Sequence, residues 1–321
     1  MSQFILAVTF NGCQEYTVLY VLKNSGPFPP LIGECAPSVG VNMLDFTFDP
    51  DTIEYSTKNA FALSRAALLA YEGPEHIART IKKWGMKGFH VCDNGGTQAL
   101  VIADDTKIIV AFRGTEPTEL EDWFTNIQTS KTPVRSGSVH TGFLKALQLV
   151  WKCPTVQHDV FATIKQLRTN HQSIWFTGHS LGAALATLAM AKLWWEDKIA
   201  ANGLYTFGSP RVGDSEFVWA VENRFGSRIF RFVNHDDIVP RVPFYVRGYS
   251  HVGILKYLNS AGNLRAAPSW RDRLKQWFKQ WFKFGASYRN PKKTSAQHYS
   301  GCVRDHFMVA YRDCLFRLWL N

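Results

Sequence analysis

The stretch that most limits how this chain can fold is SIWFTGHSLGAALATLAMAKLWWED, residues 173–197. Its first six residues read as a short strand, and LGAALATLAMAKLWWED has the length and composition of a helix. Only a tight turn fits between them. Gly178-His179-Ser180-Leu181-Gly182 follows the Gly-x-Ser-x-Gly pattern, whose small residues let strand and helix approach closely. A serine on such a turn stands above the sheet, beside the unpaired N–H groups and positive dipole end of the helix. Those amides would face a developing oxyanion. The five-residue pattern alone also suits a turn with a structural serine; the strand before it and the helix after it favour a nucleophile.

The rest of the chain repeats this alternation. GFHVCD (88–93), TQALVIAD (97–104) and KIIVAF (107–112) are compact strand candidates, and GLYTFGSP (203–210) and RIFRFVN (228–234) are two more. An apolar stripe of Phe61, Leu63, Ala66, Leu68, Leu69 and Tyr71 predicts a helix ended by Gly73-Pro74. Further helices are expected over 76–84, over 140–167 with a break near Pro154, and over 214–225. FILAVTF (4–10) and YTVLYVL (16–22) read as two N-terminal strands. Strands alternating with helices predict an α/β fold, a largely parallel sheet covered on both faces. With 321 residues, 46% of them hydrophobic, the chain is long enough for one sizeable core, so a single domain over 1–321 is expected.

Charge and cysteine usage narrow the setting. A net charge of +10 favours anionic surfaces without choosing among them. The six cysteines are scattered, with no CxxC pair, and a chain of this size does not need disulfide staples. The N-terminal apolar run is short and lacks a basic flank, so a signal sequence is not expected. No apolar run is long enough for a transmembrane segment. The cytoplasm is the default location, with peripheral membrane association compatible; secretion by another route would leave no readable mark.

A nucleophilic serine needs a base and an orienting carboxylate, in the chain order Ser, acid, His for this fold class. Asp236 and Asp237 both lie just past the strand RIFRFVN, where α/β sheets build their sites. One of them is expected to be an ordinary turn residue. The histidine must come from His251, His298 or His306, and spacing places His306, beside Asp305 at the head of the apolar stripe Phe307 to Leu320, ahead of His251.

Five blocks together resemble the class 3 lipases, typified by the secreted fungal triacylglycerol lipases, which are α/β-hydrolases. They are VAFRGTEP (110–117) with Asp122, Trp123 and Asn126; VHTGF (139–143); FTGHSLGAALATLAMA (176–191); YTFGSPRVGD (205–214); and FVNHDDIVPRVP (232–243). The resemblance implies an α/β-hydrolase fold and ester hydrolysis through Ser180, with Asp237 as the acid, because it directly precedes Ile-Val-Pro, and His306 as the base. It assigns the oxyanion amides to Thr115 and Leu181, and no catalytic role to His251. Gly114, Asp122 and His179 become supporting residues, as do Arg113, Trp123, Asn126 and His140. No cofactor is implied, and neither metal-ligand spacing nor a phosphate-cradling glycine loop is present in the sequence.

Residues 262–300 depart from the α/β pattern and read as an insertion. Within them Trp270, Trp277, Phe278, Trp281 and Phe282 fall on one helical face among many cations. Such a helix suits an anionic lipid interface or a lid; it equally suits a helix packed on the body with a solvated basic face, or a protein-binding one. No nucleic acid partner is expected. In the fungal lipases the lid follows the Phe-Arg-Gly block, whereas here 116–121 is short and acidic. The substrate expected is an acylglycerol or another ester, with a short-chain carboxylesterase and a phospholipase as rivals. A non-catalytic lipid-binding protein on the same scaffold is the rival of another class.

Overall fold

The computed structural model describes residues 46–116, 129–156, 158–243, 247–265 and 304–320, all within the compact unit Val41–Asn321. The two N-terminal strand expectations lie outside these residues. Along the chain run α1 (Thr57–Leu69), α2 (Pro74–Lys83), β1 (Gly88–Asn94), β2 (Thr97–Ala103) and β3 (Lys107–Phe112). A small hairpin, β4 (Lys131–Pro133) and β5 (Ser138–His140), precedes α3 (Thr141–Val150) and α4 (Val160–Leu167). Then follow β6 (Ser173–His179), α5 (Leu181–Asp197), β7 (Gly203–Phe207), α6 (Ser215–Phe225), β8 (Ile229–Asn234), β9 (Ile254–Leu258), β10 (Leu264–Arg265) and α7 (Met308–Leu320).

The eight-stranded sheet has the order β1-β2-β3-β6-β7-β8-β9-β10. It is parallel from β3 through β9 and antiparallel at its ends, in β1–β2, β2–β3 and β9–β10. The sheet is thus largely parallel, as expected, with antiparallel pairs confined to its two ends. Two residues join β1 to β2 and three join β2 to β3, far too few for a crossover, so those strands must turn back on themselves.

Two buried clusters cover the faces of this sheet. Ile108, Val110 and Phe112 of β3 point into the cluster of α3, α4, α5 and α6, and Ile109 and Ala111 point into that of α1, α2 and α7. Ile174 and Phe176 part from Trp175 in the same way on β6. Because both faces are covered, these strands read as continuous apolar runs. Helix α5 is apolar almost all round and is buried from Gly182 through Ala191, as a helix lodged in the core must be. Each large apolar side chain so buried stabilises the fold by about 1.5–3 kcal/mol. That exceeds the propensity differences within any one turn of helix.

Leu264 and Arg265 pair with Leu258 and Tyr257, so the expected insertion over 262–300 begins inside the sheet. These two residues satisfy N–H and C=O groups along an otherwise open edge of β9. Trp270, Trp277, Phe278, Trp281 and Phe282 lie outside the described residues, as do Asp122, Trp123 and Asn126. Among the described residues no helix is long and apolar enough to cross a membrane.

Candidate functional site

Ser180 sits at the junction of β6 and α5 with φ 56° and ψ −127°. An L-residue rarely adopts this geometry, which costs about 1–3 kcal/mol. The crowding around the turn maintains it. A Cβ on Gly178 would lie 2.3 Å from Gly182 O, and one on Gly182 would lie 2.1 Å from Phe112 O. The turn is further tied by Ser180 N–H donating to Phe207 O at 3.0 Å.

A serine at a helix N-cap usually turns its hydroxyl onto an early backbone N–H. Asp214 does this with its carboxylate for α6, accepting from Phe217 N, and Ser56 with its hydroxyl for α1, accepting from Asn59 N. Ser180 makes no such cap. Its Oγ is buried and, like His306 Nε2, has no hydrogen-bond partner among the described residues.

His306 and Asp237 meet across 69 residues of sequence. His306 Nδ1 lies 2.9 Å from both Oδ1 and Oδ2 of Asp237. A buried carboxylate is tolerated only when it is paired and hydrogen-bonded. Here Tyr311 Oη donates to Oδ2 at 2.5 Å and Val239 N–H donates to Oδ1 at 2.9 Å. Burial, and then the neighbouring Asp237 charge, push the Tyr311 phenol well above its ordinary value, so it remains a donor. Gly208, at φ +58°, makes the room: a Cβ there would lie 2.8 Å from Asp237 Oδ2, His306 Nδ1 and His306 Cε1.

Asp236 lies apart from this pair, with its carboxylate 3.6 Å from Arg241 Nη2. Asp305 anchors the chain just before His306. Its carboxylate accepts from Asp236 N–H at 3.2 Å and lies 3.0 Å from His235 Nδ1, while its carbonyl accepts from Asn234 Nδ2 at 3.0 Å. His251 sits elsewhere, with Nε2 2.7 Å from Pro240 O.

Thr115 and Leu181 both line a cavity of ≈ 160 Å3, together with Gly114, Arg113 and Thr97. Leu181 opens α5, whose first N–H groups have no partner within the helix. Arg113 braces the other wall by donating to Gln98 Oε1 and Glu116 Oε1. A larger cavity of ≈ 310 Å3 is lined by Leu144, Leu188, Trp195 and Phe217 and by none of the candidate site residues. His140 lies outside the centre too: it caps α3 by accepting from Phe143 N–H and stacks on the Phe143 ring. Among the described residues no three His, Cys, Asp or Glu side chains converge as metal ligands would.

His179 lies beside His306, ring centroids 4.4 Å apart, and contacts Tyr71 at 2.8 Å. Burial above all, and then His306, lower its pKa well below the ordinary histidine value. Tyr71, Asn234, Gly208 and the bracing role of Tyr311 were not legible in the sequence. Tyr71 carried a signal as the last apolar position of the first helical stripe, which points to core packing, and Gly208 and Asn234 lie in two of the family-like blocks without a role being read for them.

Residues 109–247 match the family model of the class 3 lipases. The chain is 30% identical over 256 residues to triacylglycerol lipase OBL1 of Ricinus communis, covering 61% of this chain and 48% of that protein. It is 37% identical over 163 residues to the secreted mono- and diacylglycerol lipase 1 of Fusarium solani, covering 49% and 46%. The chain thus spans about half the length of these curated relatives. The solved lipase of Rhizopus microsporus var. chinensis superposes with a TM-score of 0.53 at 26% identity, over 70% of this chain and 85% of that one.

Proposed function

We propose that this chain, whose residues 109–247 belong to the class 3 lipase family, hydrolyses carboxylic esters, with Ser180 as nucleophile, His306 as base and Asp237 as its orienting acid. Ser180 supports this most directly. A strained, uncapped serine is costly to keep at a helix start; its hydroxyl is buried, and His179, the residue before it, lies beside the His306 ring with centroids 4.4 Å apart. His306 takes the serine proton as Oγ attacks the ester carbonyl. Asp237 holds the imidazole with Nε2 toward the reaction and stabilises the cation that forms. The amides of Thr115 and Leu181 receive the oxyanion. The alcohol leaves with the proton from His306, and water then clears the acyl-enzyme by the same route. No cofactor takes part in these steps.

Acylglycerols are the proposed substrate class, since both curated relatives carry that chemistry in their names. The basic aromatic stretch within 262–300 is proposed as the contact with an anionic lipid surface. The test is ester hydrolysis followed through the solubility limit of the substrate, with Ser180→Ala as control. Activity that is lost in Ser180→Ala and jumps as droplets form is expected. Activity saturating below that limit would favour a short-chain esterase. Hydrolysis by Ser180→Ala at the parent rate would sink the assignment of the nucleophile, and a parent that binds lipid without hydrolysing any ester would leave a lipid-binding protein.

A further inference from the structure

Four residues far apart in sequence are joined by one directed chain of hydrogen bonds. Gly114 N–H donates to Tyr71 Oη at 3.1 Å; Tyr71 Oη lies 2.8 Å from His179 Nδ1; and His179 Nε2 lies 2.6 Å from the carbonyl oxygen of His306. The roles follow from the end of the chain. A carbonyl oxygen can only accept, so His179 Nε2 carries the hydrogen. Burial keeps the His179 imidazole neutral, so Nδ1 offers a lone pair. Tyr71 therefore donates to Nδ1 while its oxygen accepts from Gly114. Every donor points in one direction, and each such bond strengthens its neighbours in a low-dielectric interior.

The two ends of this chain are the informative part. Gly114 directly precedes Thr115, on the proposed oxyanion side, and His306 is the proposed base. Space is tight at the first end: a Cβ on Gly114 would lie 2.3 Å from Tyr71 Oη, 2.4 Å from His179 O and 3.1 Å from Ser180 Cβ. His179 itself immediately precedes Ser180. We propose that Tyr71 and His179 are positioning residues that lock the oxyanion strand, the nucleophile turn and the backbone of the base into one geometry. This rests on the hydrolase reading above. Neither residue hydrogen-bonds to Ser180 Oγ or His306 Nε2, which have no partner among the described residues. Both set the distances among the reacting groups, and a misplacement of about 1 Å costs about a hundredfold in rate.

The test uses three variants and a soluble nitrophenyl ester, with active sites counted by titration with an alkyl phosphonate. Tyr71→Phe removes both of its bonds. His179→Gln keeps an N–H where Nε2 stood and drops the acceptor for Tyr71; His179→Asn does the reverse. Turnover per titrated site is expected to fall about tenfold to a hundredfold, with KM within about twofold. Affinity for a trifluoromethyl ketone, which forms a tetrahedral adduct with the serine, should fall in parallel. Tyr71→Phe combined with His179→Gln should lose no more than the worse single variant, because both break the same bond.

A purely structural role would lower the number of titratable sites and leave turnover per site unchanged. That result overturns the proposal, as do additive losses in the double variant. If Tyr71→Phe fails to fold, the two His179 variants carry the same comparison. Ser180→Ala and the parent judge the hydrolase reading separately: an inactive parent overturns both, whereas an active parent with unaffected variants overturns only this one.

Discussion

His306 faces both carboxylate oxygens of Asp237 at 2.9 Å, and the two side chains are only 1% and 0% exposed. An ion pair or hydrogen bond on the surface would be screened and worth little. Shielded from water, the same contact fixes the imidazole ring and its tautomer. Tyr311 and Val239 supply the further donors that a buried carboxylate requires.

Ser180→Gly should be inactive and yet more stable than the parent. Glycine adopts φ 56°, ψ −127° without the Cβ clash, and the unpartnered buried hydroxyl disappears. The relieved strain outweighs the added chain entropy of glycine, leaving a gain of about 1 kcal/mol. Thermal denaturation should show a rise of about 2 °C; a fall would mean that the turn is not strained as described.

Gly208→Ala should be active at no more than about one per cent of the parent. The new methyl group would sit 2.8 Å from atoms of both Asp237 and His306, so the pair must separate or tilt. Steady-state turnover beside a melting curve checks this. Unchanged kcat would show that the pair tolerates displacement.

Tyr311→Phe should destabilise the fold by about 1–3 kcal/mol. The lost hydroxyl donates to Asp237 Oδ2 and accepts from Asn234 N–H, so both a buried carboxylate oxygen and a buried amide lose a partner. Urea denaturation with an unchanged m-value is the measurement. A midpoint equal to that of the parent would contradict this bracing role.

Below pH 6.5 the parent should lose stability faster than His179→Gln. The native His179 pKa lies well below 6.5, so between those two values the unfolded chain binds one proton more than the native one. Stability from this group is complete above pH 6.5 and declines as pH falls toward the native value. The difference in slope should reach about 1.4 kcal/mol per pH unit. Denaturant melts across that window decide it, and parallel slopes would mean that His179 titrates freely.

Local chemistry made much of this molecule readable. The strand over 173–178, the glycines on both sides of Ser180 and the helix after it interact within a few residues of one another, so their types and order carry the geometry. The same holds for the apolar runs of β2, β3 and β6, whose side chains must alternate between two buried faces whatever the neighbouring strands are.

What depended on tertiary structure is the set of contacts closed over long separations. Asp237 reaches His306 across 69 residues, Tyr71 reaches His179 across 108, and His179 reaches the His306 carbonyl across 127. No periodicity or turn signal encodes such a pairing. The short strand at Leu264 follows the same logic, because an edge is completed by whichever segment folding brings to it. The turn at Ser180 and the two-faced sheet depend on neighbours along the chain, so residue types and their order carry them. The bracing by Tyr71, His179 and Tyr311 is a product of the packed fold, since those hydrogen bonds exist only once distant segments meet and water is excluded.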